Sequence, residues 1–184
     1  MNNKDKVIYD LCGGTRAWSK PYKDAGYDVR VITLPDYDIR KYILPFPHFA
    51  YGILFAPPCT VWANSGARWW KDRTPNEILE AVEVLMAGIR IIWETGPIFW
   101  AIENPVGKMR KLLGEPRLIF NPCDYGDNYT KKTLLWGKFN IPWMHKVEPT
   151  EGSKMHRLPP GEKRTEIRSI TPQGFAQAFY EANK

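Results

Sequence analysis

Three short stretches of this chain carry residue types that could do chemistry: a cysteine behind two prolines, a carboxylate at the end of an apolar run, and a glycine pair after the first strand. Tyr51-Gly52-Ile53-Leu54-Phe55 reads as a buried strand. Ala56-Pro57-Pro58 must end it, because proline cannot donate to a sheet ladder and stiffens the exit. Cys59 comes next, and a thiol held at the tip of a central strand is a candidate nucleophile. The alternative is a structural cysteine beside a Pro-rich loop. Ile98-Phe99-Trp100-Ala101-Ile102 is a second such run and leads into Glu103-Asn104-Pro105. A carboxylate emerging from a buried strand is expensive unless it is used or paired, so Glu103 is a second candidate.

The elements that must position these groups follow from periodicity. Val7-Ile8-Tyr9-Asp10-Leu11 predicts a first strand, and Cys12-Gly13-Gly14-Thr15-Arg16 a turn on which a ligand could approach bare backbone. Trp18, Tyr22 and Ala25 then fall at helical spacing before Gly26, so the pattern is strand, glycine turn, helix: the opening of a nucleotide-binding α/β unit, with helix N-terminal amides facing the ligand. Asp28 to Leu34 predicts a second strand, followed by a loop carrying Asp36 and Asp38. Thr74-Pro75-Asn76-Glu77 is a helix start with N-cap, N1 proline and capping box. It is followed by Ile78, Leu79, Val82, Leu85, Met86, Ile89 and Trp93 as a core-facing stripe, ended by Gly96-Pro97. A short basic helix is expected before Gly114, an edge strand at Arg117–Phe120, a sixth strand at 130–137, and a last helix capped by Thr171. Between Lys138 and Ile167 the pattern gives way to an irregular basic insertion with His145 and His156, in what otherwise reads as a single domain over 1–184.

Composition bounds the rest. A chain of 184 residues, 43% hydrophobic and 25% charged, has the makings of one globular core without staples. Its net charge of +6 leans towards an anionic partner such as nucleic acid. The loop Val61–Lys71 mixes aromatics, small residues and bases, which suits either base stacking and phosphate contact or a lid whose tryptophans pack on the core. Three widely spaced cysteines suit reduced thiols rather than disulfides, and their distance from the histidines argues against structural zinc. The polar N-terminus has no signal-peptide core and no apolar run is long enough for a membrane span, so a cytoplasmic protein without membrane contact is expected.

The order strand-Asp10-Leu11-Cys12-Gly13-Gly14, then Pro57-Pro58-Cys59, then Glu103-Asn104-Pro105, then a basic strand start and Arg168-Ser169-Ile170-Thr171-Pro172 resembles the DNA (cytosine-5) methyltransferase family over nearly the whole chain. It looks closest to short, phage-type members with a reduced target-recognition domain. The resemblance implies an α/β fold, a Rossmann-like class I methyltransferase sheet flanked by helices. It also implies S-adenosylmethionine as cofactor and methylation of cytosine C5 through a covalent cysteine–C6 adduct. Cys59 would be the nucleophile and Glu103 the residue that hydrogen-bonds the base. The family's Gln-x-Arg-x-Arg element falls near Asn128-Tyr129-Thr130-Lys131-Lys132, where lysines replace arginines and Lys132 is the candidate catalytic cation. Asp10, Cys12, Gly13, Gly14 and Pro57 would line the cofactor, with Asp36, Asp38 and Ile39 towards its ribose and adenine. Asn64, Arg68, Lys131 and Arg168 would touch nucleic acid. The family's C-terminal Gly-Asn motif is not visible, and residues 138–167 are too few for an independent reader of base sequence. Duplex or single-stranded DNA, RNA, or a partner protein that supplies recognition are all consistent with that reduction, and a non-catalytic binding protein that keeps the fold is the alternative from another class.

Overall fold

The apolar runs become strands in the expected order. The computed structural model describes residues 2–64, 71–161 and 163–184. Its six strands are β1 (Val7–Leu11), β2 (Asp28–Ile32), β3 (Gly52–Phe55), β4 (Phe99–Pro105), β5 (Leu118–Phe120) and β6 (Thr133–Lys138). They form one sheet in the order β2-β1-β3-β4-β6-β5. β2, β1, β3 and β4 are mutually parallel, β6 runs antiparallel to β4, and β5 antiparallel to β6 at the edge. Period-two alternation sorts the side chains into two cores. Tyr9, Leu11, Ile53, Phe55, Ile102 and Trp136 face one side; Ile8, Leu54, Phe99, Ala101 and Leu135 face the other.

The described residues form the helices α1 (Lys20–Asp24), α2 (Pro75–Thr95), α3 (Arg110–Leu113), α4 (Lys154–Arg157), α5 (Lys163–Ser169) and α6 (Gln173–Ala182). The start of α2 is the one predicted. Thr74 Oγ1 accepts from Glu77 N at 3.3 Å and Glu77 accepts in return from Thr74 N at 2.8 Å, an arrangement that contributes about 1 kcal/mol. Gly96 ends the helix in the left-handed region. Gly88 lets α2 lie directly on β3, since a Cβ there would come within 2.1 Å of the Phe55 ring. On the opposite face α6 packs Phe175 and Phe179 against Trp18 and Phe99. None of the described helices is long and apolar enough to cross a membrane.

Three expectations need correcting. The core-facing stripe of α2 is only partly core: Leu85 is buried and Ile78, Val82 and Ile89 are half-buried, whereas Leu79, Met86 and Trp93 are 56%, 54% and 84% exposed. The reason is that α2 carries apolar residues on two faces, and the sheet can cover only one. The helix after the glycine turn is five residues long and starts at Lys20, so the turn does not run into a helix N-terminus. Thr171 is not the cap of the last helix; Pro172 holds that position, with no side-chain cap bond. Residues 138–167 contain α4 and most of α5, and their Thr150–Gly152 turn is tied to Asn128 and Thr130 by backbone bonds.

Candidate functional site

The carboxyl ends of β1, β3 and β4 open into one cavity of about 630 Å³, a size suited to a small organic ligand. Its walls are the β1 turn (Asp10 to Trp18), the β3 exit (Ala56 to Thr60), the end of β4 (Glu103, Pro105, Val106), the start of β6 (Thr130 to Lys132) and a C-terminal segment from Met155 to Thr171. Among the sequence-predicted residues, Cys59, Glu103, Lys131, Lys132, Asp10, Cys12, Gly13, Gly14, Pro57, Asn64 and Arg168 are brought together there. Asp36, Asp38 and Ile39 are not on its wall. Ile39 is core, and Asp38 is bonded to Arg40 at 2.7 Å, whose guanidinium holds its carboxyl down at about 2. Arg68 lies outside the described residues, as do the tryptophans of that loop after Trp62; Trp62 itself is packed into the core.

The thiol and the carboxylate are held by a stitched pair of segments. Asn104, fully buried, donates from Nδ2 to Pro57 O at 2.9 Å. Asn64 N donates to Val106 O at 2.9 Å and Lys108 N to Trp62 O at 2.7 Å. Trp62 N and Ala63 N both donate to Cys59 O, closing the loop behind the thiol. Gly107 makes the contact fit: a Cβ would lie 1.9 Å from Trp62 O, inside any real contact distance. Gly107→Val is therefore expected to destabilise the protein by about 2–4 kcal/mol, read as a lower denaturation midpoint. Unchanged stability would mean that the segments are not clamped.

Electrostatics single out the same groups. Burial pushes the Glu103 carboxyl up, opposed by the Lys131 charge. Protein around the Cys59 sulfur raises its thiol, Glu103 adds to the rise, and Lys131 and Arg168 oppose it. Lys131 is thus the lysine whose charge acts on both; Lys132 is on the wall but more exposed. Lys131 Nζ donates to Arg168 O at 2.7 Å, tying the start of β6 to the C-terminal wall.

At the β1 end, Asp10 is buried and its carboxyl is pushed up to about 6, chiefly by desolvation. It accepts a 2.5 Å bond from Ser19 Oγ, and Arg16 offsets part of the rise. Cys12 and Arg16, at φ of 59° and 56°, hold this turn in the left-handed region, a local strain of the kind found at ligand sites. Burial and the Asp10 and Asp38 charges push the Cys12 thiol up to about 12, so it is the less reactive thiol of the cavity. Asp10 has a stability consequence. Its folded value is above the unfolded 3.8, so the native state holds the extra proton, and stability is fully present below pH 4 and lost as pH rises through 6. Asp10→Asn should therefore raise stability by about 2–3 kcal/mol at pH 8 and leave it unchanged at pH 3.5. Equal effects at both pH values in thermal melts would refute the buried, proton-holding carboxylate.

Sequence reasoning did not assign Arg16, Arg73, Met155 and His156 to this wall. Arg73 bonds Thr60 O at 2.8 Å and Glu77 at 3.2 Å, anchoring the Cys59 loop to α2. Nothing local marks it as such. Arg16 had a signal, its place in the glycine turn; Met155 and His156 come from a stretch without periodicity.

Comparison with known proteins matches this architecture. No family model matches the chain. No curated protein does either. Among solved structures, the chain is similar to a protein described as a DNA modification methyltransferase encoded within a prophage of E. coli. The TM-score is 0.54 and the identity 16%, over 78% of this chain and 51% of that one. It is also similar to an Entamoeba histolytica methyltransferase, with a TM-score of 0.47 and 13% identity over 85% of this chain and 61% of the other. The chain spans about half the length of the prophage protein. The expected fold is present: a Rossmann-like methyltransferase sheet flanked by helices, in one domain.

Proposed function

We propose that this chain methylates C5 of cytosine in DNA, with S-adenosylmethionine as donor and Cys59 bonded covalently to C6 of the base during turnover. The observation that carries the reading is the pairing of Cys59 with Glu103 across one cavity wall, under the charge of Lys131, beside the glycine turn of β1. The residues at that turn suit the donor. Asp10 offers a carboxylate to an ammonium group, Arg16 a guanidinium to a carboxylate, and Gly13 leaves room that a Cβ, 2.0 Å from Asp10 Oδ1, would fill. When bound, the donor supplies an electrophilic methyl group.

Cytosine C5 is a poor nucleophile, and the residues of the wall answer that difficulty. Addition of the Cys59 thiolate to C6 makes C5 enamine-like. Glu103, whose acid form burial favours, would donate to N3 and so relieve the charge that builds on the ring as sulfur adds. Lys131 favours the thiolate over the thiol. Once C5 carries the methyl group, water in the cavity would accept the C5 proton, its electron pair forming the C5–C6 double bond as the C6–sulfur bond breaks and releases the Cys59 thiolate, leaving aromatic 5-methylcytosine. In a duplex the base has to leave the stack first. Asn64, Lys132 and Arg168, on the cavity wall, and Arg68 are proposed as contacts to the nucleic acid, and a partner protein is the proposed source of sequence selectivity beyond them.

The test is direct. The protein is incubated with S-adenosylmethionine and separate pools of duplex DNA, single-stranded DNA and RNA, and each pool is digested to nucleosides and read by mass spectrometry. 5-Methylcytosine in a DNA pool is the expected result. Signal confined to RNA moves the same chemistry to another substrate, and silence in every pool despite calorimetric binding of the donor overturns the proposal of an active enzyme.

A further inference from the structure

The outward face of α2 carries a second message, independent of the cavity. Leu79, Met86 and Trp93 recur every seven residues and are 56%, 54% and 84% exposed, while Val82 and Ile89, half-buried, fill the alternate positions between them. Spacings of three and four over residues 79–93 make a helix-pairing seam, and solvent covers it here. Glu83 and Arg90 line one flank of the seam, with side chains 48% and 39% exposed. The loop beside that flank is tied to it by Arg90 Nη2 to Tyr42 O at 2.8 Å and by Arg40 to Glu83 at 3.5 Å. It carries Ile43 and Phe46, 86% and 89% exposed. Isolated exposed apolar residues need no explanation, but a contiguous set on one face does.

We infer that the occupant of this face is a second copy of the chain, paired through antiparallel α2 helices about a two-fold axis at Met86. Charge decides between the occupants and between the directions. At a rise of about 1.5 Å per residue, Glu83 and Arg90 stand about 4.5 and 6 Å on opposite sides of Met86. A two-fold axis there keeps the charged flanks of both helices on the same side, so Glu83 of each copy meets Arg90 of the other within about 1.5 Å along the axis. Leu79 then meets Trp93, and Met86 meets itself. A parallel pair would set the charged flank against Val82 and Ile89 and leave both charges unanswered. The side chains already have local partners, Glu94 for Arg90 and Arg40 for Glu83, and their remaining exposure leaves room for a second one. The cavity lies at the N-terminal end of α2, so the pairing sends the two cavities to opposite ends of the dimer.

Sedimentation equilibrium on the full chain, from about 1 to 100 µM, is the experiment. The expected result is reversible growth from one to two copies of the 21.3 kDa chain. Met86→Glu, which opposes two carboxylates at the axis, should leave a monomer with unchanged circular dichroism. Glu83→Arg and Arg90→Glu should each weaken the dimer by about tenfold or more, and the double variant should recover most of that loss. A monomer at every concentration, or a dimer indifferent to Met86→Glu, overturns the proposal. A dimer that loses affinity in the charge variants but is not rescued by the swap overturns the antiparallel register.

Discussion

Cys59→Ala is expected to remove methyl transfer altogether, a loss of at least about a thousandfold, while donor binding changes by less than about threefold. The asymmetry follows from the site. Cys59 is the more reactive of the two thiols on the described wall, because Cys12 is pushed up to about 12 and faces the β1 turn. The donor's proposed contacts, Asp10, Gly13 and Arg16, come from β1 and the turn after it, not from the Cys59 loop. An oligonucleotide with 5-fluorocytosine gives a second readout: fluorine at C5 cannot leave as a proton, so the wild-type protein should be trapped as a covalent adduct and the variant should not. Normal turnover by Cys59→Ala would end the nucleophile assignment.

Glu103→Gln is expected to move two measurements in opposite directions. Methylation should fall by about a hundredfold, since an amide cannot supply an acidic proton at N3. The thiol should become more reactive. Glu103 is, after burial, the main contributor that raises Cys59, and with it neutral the charges of Lys131 and Arg168 act unopposed. At pH 8, alkylation of Cys59, followed on its own peptide by mass spectrometry, should be several-fold faster than in the wild type. The wild-type pH–rate profile should show both limbs. The reactive form needs the Cys59 thiolate and the Glu103 acid together, so activity should fall on both the acid and the alkaline side of a maximum. A profile with one limb, or slower alkylation in the variant, would separate the two groups and remove the coupling on which the proposed reaction depends.

Much of the scaffold was legible because short apolar runs between turn residues have few other fates. The strands at 7–11, 28–32, 52–55 and 99–105, the capping box of α2 and the edge position of β5 all follow from local pattern. The stripe of α2 did not, because seven apolar residues spread over more than one face satisfy the helical period whichever side is buried. Only the width of the sheet decides between Leu85 and Met86. The sequence reading puts Lys132 nearest the base, whereas the charge that acts on Cys59 and Glu103 is that of Lys131; both precede β6, where no strand period fixes the direction of a side chain. The wall built by Met155 and His156 was invisible for a different reason. It is held from outside itself, by bonds such as Lys131 to Arg168 O, so its own residues carry no trace of where it docks.

On the proposed reading, the burial of Glu103 also bears on which pyrimidine is the substrate. A carboxyl kept in its acid form offers one donor and one acceptor, and cytosine presents the complement along its Watson–Crick edge: a bare N3 and an amino group. Uracil and thymine reverse that pattern, with a proton on N3 and a carbonyl at C4. With the proton on the oxygen that faces N3, they would oppose donor to donor and acceptor to acceptor. A site built to hydrogen-bond one edge rejects its mirror pattern by orders of magnitude. Discrimination between the bases would then require no dedicated reader: it comes from the same loss of solvent that favours the proton on Glu103.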